Sequence, residues 1–121
     1  MTKTILTVDD SYIIREMLLV VLRVAGFNVV QAEDGLDGLD ALKRAVPDVI
    51  ITDINMPRLD GYGFIEGVRK TKRHRATPII VLSTESSAIR KARAREVGAT
   101  GWIVKPFKAD ILLDAIRRVS A

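Results

Sequence analysis

The feature that most constrains this chain is a hydrophobic period that switches repeatedly between continuous apolar runs and spacings of three and four residues. Short β-branched or aliphatic runs occupy residues 5–8, 28–32, 49–52, 79–82 and 102–104. The first helical stripe is Ile14, Met17, Leu18, Val21, Leu22 and Ala25, with Gly26 placed to close it. Leu36, Leu39, Leu42 and Val46 mark a second helix that ends before Pro47. A third helix is predicted over 62–70 and a fourth over 87–97, closed by Gly98. A fifth carries Ile111, Leu112, Ala115, Ile116 and Val119. Five strands alternating with five helices predict βαβ units and a doubly wound parallel sheet. Near-continuous apolar strands fit a sheet covered on both faces.

The 121 residues, 48% hydrophobic and 28% charged, suit one domain spanning 1–121. No linker, repeat or low-complexity segment divides the chain, and no room is expected for an output domain. No apolar stretch approaches the ~20 residues of a membrane span, and the N-terminus lacks a signal-peptide pattern. With no cysteine and one histidine, disulfides and thiolate chemistry are excluded, and a zinc site would rest on His74 and carboxylates. A cytoplasmic location is expected. The net charge of +4 hides an asymmetry: residues 1–60 balance at −4 and residues 61–121 at +8. That pattern suits a cation on one side and an acidic partner on the other.

Four charges stand where apolar runs end: Asp9 and Asp10 after the first, Asp53 after the third and Lys105 after the fifth. Ser83 ends the fourth. Open α/β sheets bind ligands beyond the carboxyl ends of their strands, so these groups converge if their strands are neighbours. Clustered carboxylates repel one another unless a cation is present, and hard oxygen donors favour Mg2+ over zinc. A carboxylate can act as the nucleophile in phosphoryl transfer, with Lys105 and the Ser83 hydroxyl holding phosphoryl oxygens. The constellation reads as a Mg2+-dependent phospho-acceptor.

Val8-Asp9-Asp10-Ser11, Asp53-Ile54-Asn55-Met56-Pro57, Leu82-Ser83-Thr84 and Lys105-Pro106-Phe107 together closely resemble the receiver domain of bacterial response regulators, over essentially the whole chain. The resemblance implies a flavodoxin-like (βα)5 fold with strand order 2-1-3-4-5. It implies that Asp53 is phosphorylated by a histidine kinase. Asp10, Asp53 and the backbone carbonyl of Asn55 would bind Mg2+ directly, and Asp9 would act through a metal-bound water. Ser83 stands at the family's switch hydroxyl, and Lys105 at its phosphoryl-binding lysine, before a proline the family holds in cis. Trp102 stands at the aromatic switch position, where Tyr or Phe is more usual, and Thr84 replaces a more common Ala. Asn55 and Glu85 sit where the family tunes dephosphorylation. The downstream protein target is expected on the fourth helix, fifth strand and fifth helix, in a chemotaxis-type role. No separate substrate is expected to be turned over.

Other readings remain open. A phosphorelay intermediate or phosphate sink would use the same residues. A Mg2+-dependent phosphatase usually needs a second aspartate two residues after the nucleophile, where this chain has Asn55. A nucleotide or flavin module would want a glycine- or hydroxyl-rich loop after strand one, not two acids. No helix-turn-helix is left over for DNA. The acids at 9 and 10 could simply cap the first helix. The run Arg69-Lys70-Thr71-Lys72-Arg73-His74-Arg75 reads as a solvated helix end with an exposed His74, not as a nucleic-acid patch. Arg90, Lys91, Arg93 and Arg95 fit either a solvated face or an acidic target.

Overall fold

The computed structural model describes residues 2–120. The chain runs β1 (Thr4–Val8), α1 (Tyr12–Val24), β2 (Asn28–Ala32), α2 (Gly35–Ala41), β3 (Val49–Thr52), α3 (Gly61–Lys70), β4 (Ile79–Ser83), α4 (Ala88–Val97), β5 (Gly101–Val104) and α5 (Ala109–Val119). A 3-10 turn at Lys72–His74 follows α3. All strands are parallel in the order β2-β1-β3-β4-β5, as expected.

Alternation along the strands builds two cores. Ile5, Val49, Ile51, Ile80 and Leu82 face α1 and α5, where Leu18, Leu22, Leu112 and Ile116 are buried against them. Leu6, Val8, Ile50, Ile79 and Val81 face α2, α3 and α4, meeting Ala41, Phe64, Ile65, Val68 and Ala94. Each large side chain so buried contributes about 1.5–3 kcal/mol. Four helices begin on an oxygen cap: Ser11, Asp34, Asp60 and Ser87 each accept the backbone N–H three residues on. Gly26 ends α1 at φ 95°, donating to the Arg23 carbonyl while Phe27 donates to that of Leu22. At the opposite edge from the strands' carboxyl ends, the Lys3 ammonium donates to the Ser120 carbonyl at 2.6 Å.

Helix α2 differs from its predicted form. It stops at Ala41 and buries Gly35, Gly38 and Ala41, while Leu36 and Val46 are 45% and 52% exposed. Leu39 and Leu42 pack into the core as the stripe implies, but at Gly38 the α3 side chains lie too close for anything larger than glycine. A Cβ at Gly38 would sit 2.7 Å from the Phe64 ring.

The basic run is also corrected. His74 is buried, with Nε2 3.3 Å from the Leu42 carbonyl, rather than exposed. Arg69 is no solvated helix end. Its guanidinium donates to the carbonyls of Gly98, His74, Arg75 and Thr77 at 2.6–3.2 Å, tying the exit of α3 to the exit of α4. Burial lowers its pKa from the ordinary arginine value.

The β3–α3 loop is fixed onto α2. Arg58 reaches the Asp34 carboxylate with Nε at 2.6 Å and a terminal nitrogen at 3.0 Å, and Gly35 N–H donates to the Leu59 carbonyl. The hydrogen bonds from Arg58 hold the Asp34 carboxyl below the usual carboxylate range.

Two measurements follow. Arg69→Ala should cost about 2 kcal/mol in urea unfolding, and Arg69→Lys should recover only part, because an ammonium cannot span four carbonyls. Asp34 has a folded pKa below its unfolded one. Its contribution is therefore full above the unfolded value, near pH 4, and is lost as pH falls through the folded value. The pH profile of unfolding free energy for Asp34→Asn should lack that acid-side decline. An unchanged decline would refute the assignment.

Candidate functional site

Strand register places the site before any side chain does. Val8 lies opposite Thr52, so Asp9 and Asp53 leave the sheet side by side, with Asp53 N–H donating to the Val8 carbonyl at 2.9 Å. On the far side Ser83 lies opposite Val104, and Lys105 N–H donates to the Ser83 carbonyl at 2.8 Å. The Lys105–Pro106 peptide is cis, as the resemblance implied.

Lys105 then reaches back across the sheet edge. Its ammonium donates to Asp9 Oδ2 at 2.8 Å and to Asp53 Oδ2 at 3.0 Å. The other oxygens are held by backbone: Ser11 N–H donates to Asp9 Oδ1, and Ile54 N–H to Asp53 Oδ1. Arg15 donates to the Asp9 carbonyl at 2.7 Å. Asp9 and Asp53 are buried at 2% and 8% exposure, whereas Asp10 is exposed at the mouth. One oxygen from each of these three carboxylates lies within 4.8 Å of the others.

The electrostatics are those of an under-neutralised acid cluster. Burial raises the Asp9 carboxyl above its ordinary pKa. Lys105 and the Ser11 N–H oppose that rise, and the Asp53 charge adds to it. Burial would lower the Lys105 ammonium, but hydrogen bonds and charges from Asp9 and then Asp53 outweigh it and hold it above its usual value. Three carboxylates facing one ammonium leave two negative charges. The donors are all hard oxygens, open at Asp10, and a divalent cation with oxygen preference fits both the charge and the chemistry.

The remaining expected residues border this cluster. Ser83 is wholly buried and its hydroxyl oxygen accepts Glu85 N–H at 3.2 Å, which leaves the hydroxyl hydrogen to donate. Trp102 is half-buried and its indole N–H donates to the Glu85 carbonyl at 2.9 Å, so the bulkier ring finds its polar partner. The Glu85 carboxylate faces Arg90 at 3.6 Å. Asn55 is exposed, and among the described residues none donates to its carbonyl. The cap of α1 is Ser11, which leaves Asp9 and Asp10 for other work. In the second basic stretch Arg93 lies 4.0 Å over the Tyr62 ring, and Lys91 and Arg95 line a groove beside Trp102.

Sequence reasoning missed Asp34, Arg58 and Arg15. The turn-forming pattern around Pro57 and Asp60 signalled a loop. Nothing in it signalled an ion pair spanning 24 residues.

Comparison with known proteins agrees with this geometry. The chain is 36% identical to Protein PilG of Pseudomonas aeruginosa, over 93% of this chain and 84% of that one. It superposes on the chemotaxis response regulator CheY4 of Vibrio cholerae with a TM-score of 0.93 and 43% identity, covering 98% and 99% of the two chains. The receiver domain of sensor histidine kinase PA1611 of Pseudomonas aeruginosa is also similar. That structure has a magnesium ion coordinated in its active site cleft, with a TM-score of 0.92, 26% identity and full coverage of both chains. A family model for the response regulator receiver domain matches residues 5–117, and the chain belongs to that family.

Proposed function

We propose that this chain accepts a phosphoryl group from a histidine kinase on Asp53, with Mg2+ at the acidic cluster, and thereby changes which protein binds it. The observation that carries the reading is one carboxylate, Asp53, shared between a lysine at 3.0 Å and two further carboxylates within 4.8 Å. An Asp53 oxygen attacks phosphorus as the bond to the donor nitrogen breaks, and that nitrogen keeps the electron pair and takes up a proton. Lys105 already touches Asp53 and would follow the charge onto the incoming phosphoryl oxygens. The Ser83 hydroxyl supplies a neutral donor from β4. Asp9 holds Lys105 in place from the other side. Bound Mg2+, held by Asp10, Asp53 and the Asn55 carbonyl, with Asp9 through water, would offset the two uncompensated negative charges. Asn55 and Glu85, at the mouth, would set how water reaches the acyl phosphate.

The output surface is assigned to α4, β5 and α5. Trp102 supports this assignment, because its indole joins β5 to the loop that leads from Ser83 into α4. The likeness to a chemotaxis response regulator supports a chemotaxis role, with a motor or comparable protein as target. The chain is thus an acceptor and switch rather than a turnover enzyme. Among the described residues no helix is long and apolar enough to cross a membrane. The reading places the chain in the cytoplasm, beside its kinase.

Two experiments test the reading. Mg2+ at a hundred times its Kd should raise unfolding free energy by about 2.7 kcal/mol, and Asp10→Asn should sharply reduce that gain. With a small-molecule acyl phosphate and Mg2+, mass spectrometry should show one phosphoryl group on the wild type and none on Asp53→Asn. Full labelling of Asp53→Asn would sink the assignment.

A further inference from the structure

The β3–α3 loop contains a backbone anomaly that the phosphoryl chemistry does not require. Leu59 N–H donates to the Pro57 carbonyl at 2.7 Å, closing a three-residue turn around Arg58. Arg58 has φ 65°, the only non-glycine positive φ among the described residues. This is the rare and strained form of γ-turn, and arginine has no conformational preference for it. Such a geometry persists only where its surroundings over-determine it.

Those surroundings are specific. The strained residue itself supplies the guanidinium that grips Asp34 through two hydrogen bonds, 2.6 and 3.0 Å long. Asp34 is buried, with a side chain 4% exposed, and both its oxygens are used. One accepts Arg58 Nε, while the other accepts Arg58 and the Asp37 N–H that starts α2. Beside it Gly35 N–H donates to the Leu59 carbonyl, and a Cβ at Gly35 would lie 2.5 Å from that oxygen. Gly61 N–H closes the loop onto the Ile54 carbonyl at 2.8 Å. Residues 54–60 are therefore clamped at both ends, and the Asn55 carbonyl lies between the clamps.

We propose that Arg58 is a positioning residue: its ion pair with Asp34 holds the strained turn, and the turn fixes where Asn55 and Asp53 present their oxygens to the metal. This rests on the Mg2+ reading given above. A guanidinium fits the task because its planar fork fixes direction as well as distance. Contacts of this kind around metal ligands commonly set affinity without touching the ion.

The test separates a positioning role from a merely structural one. Glycine relaxes a positive φ, so Arg58→Gly removes the clamp while relieving backbone strain. Asparagine caps helices as well as aspartate, so Asp34→Asn keeps the α2 cap while losing the charge of the pair. Full-length wild type, both single variants and the double variant are titrated with MgCl2 by calorimetry, and their urea unfolding is measured alongside. Both single variants should stay folded and bind Mg2+ on the order of tenfold more weakly. The double variant should bind no more weakly than either single, because one interaction is lost in each. Single variants that bind Mg2+ as tightly as the wild type would overturn the proposal, as would affinity losses that simply add. A wild type that binds Mg2+ and is phosphorylated upholds the function whatever the variants do. A wild type that binds none defeats both.

Discussion

Like-charge repulsion at one sheet edge is the constraint on which the rest of the structure depends. Asp9, Asp10 and Asp53 are brought together by parallel pairing that cannot be adjusted locally, since Val8 and Thr52 are locked opposite each other in the sheet centre. One ammonium, Lys105, arrives from β5 and bridges two of the three acids. It pairs with both, while burial first, and the Asp53 charge to a smaller extent, keep the Asp9 carboxyl raised. The two apolar cores offset that local cost from either side of the sheet. Buried charge is thus gathered at one sheet edge, a pattern common where a perturbed carboxylate marks a candidate functional site.

Two arginines show how the scaffold keeps its loops in order, and they do so differently. Arg69 spends its guanidinium on neutral carbonyls at the edge remote from the acids, uniting the exits of α3 and α4. Arg58 spends its own on a buried carboxylate near the acids, and bends its backbone to do so. The first is a general tie, replaceable by any equally dense set of hydrogen bonds. The second fixes direction as well as distance.

The parallel sheet and the acidic site were legible because they are written in local pattern, whereas the strand order came from the family resemblance and not from any local signal. Apolar runs ending in Asp9, Asp53, Ser83 and Lys105 needed only parallel neighbours to converge, and the alternation of elements provided them. Helix α2 was legible only in part: Leu39 and Leu42 pack into the core as the stripe implied, but Gly35, Gly38 and Ala41 are also buried, and such small residues leave no hydrophobic stripe to read. His74 was misjudged because six polar or charged neighbours in the sequence conceal that a 3-10 turn directs its ring inward. Asp34 and Arg58 were invisible for a different reason. A pair formed across 24 residues, with one partner at φ 65°, follows from tertiary packing and from no local preference.

The contact between Lys3 and the Ser120 carbonyl has a practical consequence for how the chain can be rebuilt. Because the described ends meet at the edge away from Asp53, a short glycine-serine linker would join them without crossing the chemistry. New termini could then be opened at an exposed turn elsewhere, as circular permutation exploits in proteins whose ends lie together. Fluorophores placed on either side of the indole hydrogen bond between Trp102 and Glu85 would follow the joint between β5 and the β4–α4 loop. The domain would then serve as the sensing element of an optical reporter for its own phosphoryl state.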